Sequence, residues 1–237
     1  LRIEVALQDS MKRATELEAR HAIFSDQEYE AVTTRESSKI TEGLGRLGAL
    51  ADNPIVATLA EAFAAAGFEL AVVGGPVRDA LLGRPTHDLD FTTNARPDDI
   101  LQIVTPISTA RWDIGREFGT IGARISGEQV EITTYRSDEY DGETRKPVVA
   151  FGDTLEGDLV RRDFTVNAMA LRVPGPQLVD PTGGVEDLVG RVLRTPIDPT
   201  VSFGDDPLRM MRAARFASQL EFDVVPETLE AMSALRD

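Results

Sequence analysis

Hydrophobic and polar positions along the chain fall into three stretches of different texture. Over residues 1–52 apolar positions are sparse. Leu7, Met11, Ala14, Leu17 and His21 recur there at steps of three and four, which predicts one amphipathic helix, while the polar run 33–39 predicts a loose segment. From Asn53 the pattern sharpens. Residues 54–66 are Ala-rich and helix-forming, with Gly67 as the stop. Residues 68–73 (FELAVV) form a short apolar strand. Gly74-Gly75 then turns the chain into a helix over 76–82 with Pro76 in its first turn. Gly83-Arg84-Pro85 ends that helix, and residues 88–93 (DLDFTT) read as the next strand. Ile103, Ile107, residues 119–125 and residues 130–135 supply further strand positions, whereas 136–152 is polar, rich in breakers and reads as a mobile loop. After Asp180-Pro181-Thr182-Gly183-Gly184 the strand pattern stops, and from Pro207 onward the text is helical.

Such irregular alternation predicts an α+β fold with a mixed sheet rather than regular βαβ winding. Three parts follow: an N-terminal extension over 1–52, an α+β domain over 53–180, and a linker with the start of a helical region over 181–237. No internal repeat is present. At 237 residues and 42% hydrophobic content the chain can build a substantial core. It has no cysteine, which excludes a disulfide framework, thiolate metal sites and a Cys nucleophile. Only His21 and His87 remain for imidazole chemistry. Forty acidic residues against 25 basic ones give a net charge of −15, which on the usual rule points away from a nucleic-acid partner. There is no long apolar run and no basic-then-apolar N-terminus, so neither a membrane partner nor a signal peptide is expected and the expected compartment is the cytoplasm. The pattern specifies no particular oligomeric state.

Candidate chemistry changes that picture. Asp88 and Asp90 stand two apart in a strand, so both carboxylates project into one space. Like charges that close call for a cation between them, and hard oxygen ligands suit Mg²⁺. Upstream, Gly74-Gly75 lies between an apolar strand and a helix start, where glycines let an anion approach the backbone and the helix N-terminus offers free N–H groups. Arg78 on the first helical turn adds a guanidinium for phosphate. A third carboxylate, Glu131, opens a neighbouring strand and is either a second metal ligand, a base for an attacking hydroxyl, or an ordinary strand-end acid.

Two further motifs are dense in function-bearing residues. In Arg161-Arg162-Asp163-Phe164-Thr165-Val166-Asn167 the adjacent arginines gain from an anion that holds them together, and Asn167 offers donor and acceptor to a ribose hydroxyl. In Asp205-Asp206-Pro207-Leu208-Arg209, Asp206 before Pro207 is a good N-cap. Cytosine and adenine share an amino donor beside a ring-nitrogen acceptor, so an Asp206–Arg209 edge would select both together. Arg212 and Arg215 each step about 60° around the helix and are better placed for phosphate than for the base.

Taken in order, GGPVRDALLGR, DLDF, RRDFTVNAMA, DPTGGVEDLVGRVLRT and DDPLRMMRAARF resemble the motifs of class II tRNA nucleotidyltransferases, the bacterial CCA-adding enzymes and their poly(A) polymerase relatives. The match covers roughly residues 55–225. It implies a polymerase-β-like catalytic head over 53–180 and a helical neck beginning in 181–237, with the body and tail expected beyond Asp237. It implies Mg²⁺ on Asp88 and Asp90, and triphosphate and ribose contacts from Gly74, Gly75, Arg78, Arg161, Arg162, Asp163 and Asn167. It implies a protein template for the base in Asp206 and Arg209, completed by Arg212 and Arg215. The loop 136–152 falls where the family has a flexible loop acting in the change from C to A addition. Glu is common in the family where Asp205 stands. The implied substrates are CTP and ATP, and the implied partner is the tRNA 3′ acceptor end. The same resemblance covers a poly(A) polymerase using ATP alone and a CC- or A-adding specialist; a non-catalytic nucleotide-binding module is the alternative from another class. The net charge narrows accordingly: this chain is expected to hold NTP and Mg²⁺ but to grip tRNA weakly.

Overall fold

The computed structural model describes residues 42–43, 45–86, 88–139, 148–152 and 154–235, with backbone alone at 137–139 and 148–150. The helix expected over Leu7 to His21, the run 33–39 and His87 lie outside the described residues.

Helix α1 (Pro54–Ala65) starts where Asn53 Oδ1 accepts from the Ile55 N–H at 2.9 Å, with Pro54 needing no such partner. Its buried Ile55, Val56, Leu59, Ala60 and Phe63 form one stripe. Strand β1 (Leu70–Val73) is buried throughout and passes through the Gly74 turn into α2 (Gly75–Leu82). Strand β2 (Leu89–Thr93) follows, then α3 (Pro97–Val104), β3 (Ala110–Trp112), β4 (Thr120–Ile125) and β5 (Glu128–Thr134). Strands β6 (Arg136–Glu139) and β7 (Val148–Phe151) pair with each other apart from the main sheet. Helix α4 (Leu155–Val160), strands β8 (Ala170–Val173) and β9 (Gln177–Val179), α5 (Gly184–Gly190), β10 (Val192–Leu193), α6 (Pro199–Asp205), α7 (Leu208–Leu220), β11 (Asp223–Val224) and α8 (Pro226–Ala234) complete the order.

Seven strands form one mixed sheet in the order β3-β4-β5-β2-β1-β8-β9. Only β2 and β5 run parallel; the remaining neighbours are antiparallel. Period-two alternation divides each strand between two faces. One face carries Leu70, Val72, Leu89, Phe91, Ile121 and Ile132 into the main core with Leu59, Phe63, Ile100 and Val104 of α1 and α3. Opposite, Ala71, Val73 and Ala170 pack with Tyr135 and with Leu155 and Leu159 of α4. That second layer covers only part of its face, leaving the β2–β5 end open to solvent. The main core continues through Val185, Leu193, Ala213, Phe216 and Leu220, so α5 and α7 pack onto the same body as the sheet.

Four expectations need correction. Ile103 lies in α3 and Ile107 in the 3-10 turn Thr105–Ile107 rather than in strands. Pro97 with Asp98 and Asp99 starts a helix, and Ile100 and Val104 then bury at i and i+4. The segment 136–152 is not wholly loop, because β6 and β7 occupy its two ends; residues 140–147 lie outside the described ones. Strands do not stop at Asp180, since β10 and β11 form a short parallel pair. Finally, the sheet domain extends back past residue 53. Residues 45–50 are helical, Leu47 is fully buried, and Arg46 donates to the Ala80 and Leu81 carbonyls at 2.7 and 2.8 Å, capping α2. Among the described residues no helix is long and apolar enough to cross a membrane.

Candidate active site

The open sheet face gathers the acids. Leu89 and Phe91 of β2 point into the core, which turns Asp90 and Thr92 to the other side with Asp88 just ahead of them. The parallel register sets Asp90 directly beside Glu131. Burial by surrounding protein, then Glu131, then Asp88 hold the Asp90 carboxyl above its usual range, while Arg162 opposes them. The three acids therefore already feel one another. Among the described residues no three of them form a preassembled metal cage. Mg²⁺ is commonly held by one or two carboxylates together with substrate phosphates and water. Asp88 and Asp90 fit that donor set.

Beside them lies an anion cradle. Gly74 has φ 74° and ψ −126°, a conformation that a residue with a Cβ resists. A Cβ there would also stand 3.6 Å from Arg162 Nη1. Arg78 is buried under the turn: Nε and Nη2 donate to the Asp79 carboxylate at 2.9 and 3.0 Å, and Nη1 donates to Asn167 Oδ1 at 2.6 Å. Arg162 donates to the buried Asp158 at 2.9 Å, and its Nε has no protein partner among the described residues. Asp158 also accepts from Thr92 Oγ1 and from the Arg136 N–H. Sequence reasoning missed Asp158 and Arg136. Burial lowers the Arg136 pKa, and the neighbouring Arg161 and Arg162 lower it further against the opposing Asp158. Arg136 thus feels two like charges, Arg161 and Arg162, against the single opposing acid Asp158, an arrangement that favours an added anion. The RS pair ending the β-rich run gave no hint of it.

Asp163 and Asn167 sit beneath this cradle, both buried. Asp163 accepts from the Phe164 N–H at 2.8 Å, from Asn167 Nδ2 at 3.1 Å and from Arg212 Nε at 2.8 Å. The chain Asp79–Arg78–Asn167–Asp163–Arg212 therefore runs unbroken from α2 to α7. Arg78, Arg212 and Arg215 all lie over the Phe216 ring, at 5.5, 5.8 and 4.7 Å from its centroid. On α7, Arg209 donates to Ser202 Oγ at 2.7 Å and to the Arg161 carbonyl at 2.6 Å. Asp206 uses one carboxylate oxygen to accept the Leu208 N–H at 3.0 Å, the capping its position before Pro207 suggested. The arginines of α7 accordingly diverge, to Arg161, to Asp163 and to Phe216, instead of lining one stripe.

A mixed sheet with strand-borne acids beside a glycine turn is the architecture of a known class of heads. Residues 70–194 match the poly(A) polymerase head domain, more than half of the chain, and the chain belongs to that family. A CCA-adding enzyme of Enterococcus faecalis is 44% identical over 170 residues, covering 71% of this chain and 41% of the relative. One from Streptococcus suis is 46% identical over 173 residues, 73% of this chain and 42% of the relative. The crystal structure of the Bacillus stearothermophilus CCA-adding enzyme in complex with CTP shares this fold with a TM-score of 0.67 at 37% identity, over 75% of this chain and 42% of that one. A tRNA nucleotidyltransferase complexed with a primer tRNA and an incoming ATP analog aligns with a TM-score of 0.60 at 32% identity, over 74% and 49%. The chain spans about two fifths of the length of the curated relatives it matches.

Proposed function

We propose that this chain is the catalytic head and base-reading segment of a template-independent tRNA nucleotidyltransferase that adds C and A, from CTP and ATP, to the tRNA 3′ end. The observation that carries this is Asp90 held beside Glu131 in the β2–β5 pair, with Asp88 ahead of it and the Gly74-Gly75 cradle alongside. The named activity of relatives more than 40% identical supports it, as do the CTP and the primer tRNA in the related crystal structures.

In this reaction the 3′ hydroxyl oxygen forms a bond to the α-phosphorus, the bond to the bridging oxygen of pyrophosphate breaks, and the hydroxyl proton leaves. Glu131 is the candidate base for that proton. Asp88 and Asp90 would hold Mg²⁺, which when bound activates the hydroxyl and neutralises phosphate charge. Gly74 and Gly75 let the triphosphate approach the backbone; Arg78, Arg161 and Arg162 bind its oxygens. Asn167 holds Arg78 and is itself held by Asp163, and Asn167 keeps one amide hydrogen for the ribose. Asp206 accepts from the base amino group and Arg209 donates to the ring nitrogen, with Arg212 and Arg215 completing the nucleotide site. The work belongs in the cytoplasm, where tRNA ends are built.

The test is extension of tRNA lacking its terminal CCA with CTP as the sole nucleotide. Two C residues are expected; no addition, with ATP incorporated instead, would assign a poly(A) polymerase. Arg209→Ala should admit UTP and GTP, and unchanged selectivity would remove Arg209 from base reading.

A further inference from the structure

The open face does not end at Glu131. Register continues the Asp90–Glu131 row through Gly122 of β4 to Trp112 of edge strand β3. Residues directly opposite share a face, so these four stand side by side across four strands. Gly122 has no side chain in that row, and the Trp112 indole takes its place: a Cβ there would collide with the ring's Nε1, Cε2 and Cδ1. The ring consequently leans inward, towards Glu131, instead of out over the sheet edge. It joins neither hydrophobic cluster and stays partly exposed. On the same face of β4, two residues on, Arg124 is exposed: its carbonyl accepts from Thr109, while its guanidinium makes no hydrogen bond or ion pair among the described residues.

Direction matters here. In phosphoryl transfer the attacking and leaving oxygens lie roughly in line, on opposite sides of the phosphorus. The cradle of Gly74, Gly75, Arg78 and Arg162 follows β1, on one side of the β2 acids; Trp112 and Arg124 lie on the other, beyond β5. An acceptor strand must therefore arrive over β5, β4 and β3. A flat aromatic beside an unpaired cation is the pairing that binds single-stranded nucleic acid, through base stacking and phosphate contact.

We propose that Trp112 and Arg124 form the acceptor-strand site: the 3′-terminal base of the RNA stacks on Trp112, and Arg124 pairs with the adjoining phosphate. This rests on the nucleotidyl-transfer function. Gly122 is the notch that seats the ring. One stacked base and one phosphate give a weak, positioning contact, in keeping with the net charge of −15.

Trp112 is the only tryptophan of the chain, so its fluorescence reports directly. A tRNA transcript lacking its terminal CCA should quench wild-type emission, and Trp112→Phe should abolish the change; CTP alone should cause none. Trp112→Ala should raise KM for that tRNA about tenfold while leaving KM for CTP unchanged, with Trp112→Phe recovering most of the loss. Arg124→Gln should reduce the log–log salt slope of tRNA binding by about 0.7. Emission indifferent to bound tRNA, or a CTP KM that rises in step with the tRNA KM, would overturn the site. If wild type adds CTP normally and Trp112→Ala keeps its tRNA KM, the site fails while the transfer function stands. If wild type adds nothing yet tRNA still quenches Trp112, the transfer function fails while the RNA surface stands.

Discussion

Asp163 holds the head to α7, and truncating it should be costly in a way that separates two contributions. Its carboxylate satisfies the buried Phe164 N–H and one amide hydrogen of the buried Asn167. Asp163→Ala orphans both donors, at about 1–3 kcal/mol each, or about 3–4 kcal/mol together. The third partner, Arg212, has a side chain 48% exposed and rehydrates, so its ion pair adds no more than about 1 kcal/mol. The total is about 4 kcal/mol, which for a chain of this size lowers Tm by about 8–16 °C. Asp163→Asn keeps a carbonyl oxygen for the two buried donors but turns its NH₂ toward Arg212 and gives up that half-exposed ion pair, for a loss of about 1 kcal/mol and about 2–4 °C. Urea unfolding followed by circular dichroism measures both variants on one scale. KM for CTP should rise in Asp163→Ala, because Asn167 no longer anchors Arg78. Equal losses in the two variants, or an Ala variant within about 1 kcal/mol of wild type, would refute the reasoning.

Asp90 has a native pKa above its unfolded one, so its contribution to stability is greatest at low pH and is lost as pH rises past the ordinary carboxylate range. Asp90→Asn should therefore unfold at a higher temperature than wild type at pH 7, with the difference shrinking at pH 4; Mg²⁺ should raise the Tm of wild type and not of the variant. Ser202 is fully buried and accepts from Arg209 Nη1 at 2.7 Å. Ser202→Ala should loosen that guanidinium and raise KM for CTP and ATP about fivefold, the equivalent of about 1 kcal/mol, in initial-rate assays. Gly184 opens α5 where a Cβ would collide with the Thr165 carbonyl. Gly184→Ala should cost about 3 kcal/mol in urea unfolding, since backbone cannot rotate out of the way.

Much of the site was written in local pattern. Period-two alternation turned Asp90 away from the core, with Asp88 one residue ahead of the strand, and Gly74-Gly75 between an apolar strand and Pro76 marked the turn. Asp206 before Pro207 announced its capping bond. What escaped was set by tertiary register. Ile103 looks like a strand residue until Asp98 and Asp99 start a helix whose spacing buries Ile100 and Val104. The apolar Val148 and Val149 carry a strand at the end of a breaker-rich segment. Asp158, a buried acid in α4, draws its importance from Arg162, Thr92 and Arg136, which lie at separations no local motif encodes. Trp112 and Gly122 are ten residues apart and become one feature only when β3 pairs with β4.

The central claim is that Asp88 and Asp90 carry nucleotide transfer to tRNA. Its most direct measurement is incorporation of labelled CTP onto tRNA lacking its terminal CCA by wild type and by the Asp88→Ala, Asp90→Ala double variant, with Tm confirming that both fold. Wild type should add C, and the double variant should fall by about a thousandfold or more, the equivalent of about 4 kcal/mol of transition-state stabilisation. Incorporation by the folded double variant at near the wild-type rate would contradict it.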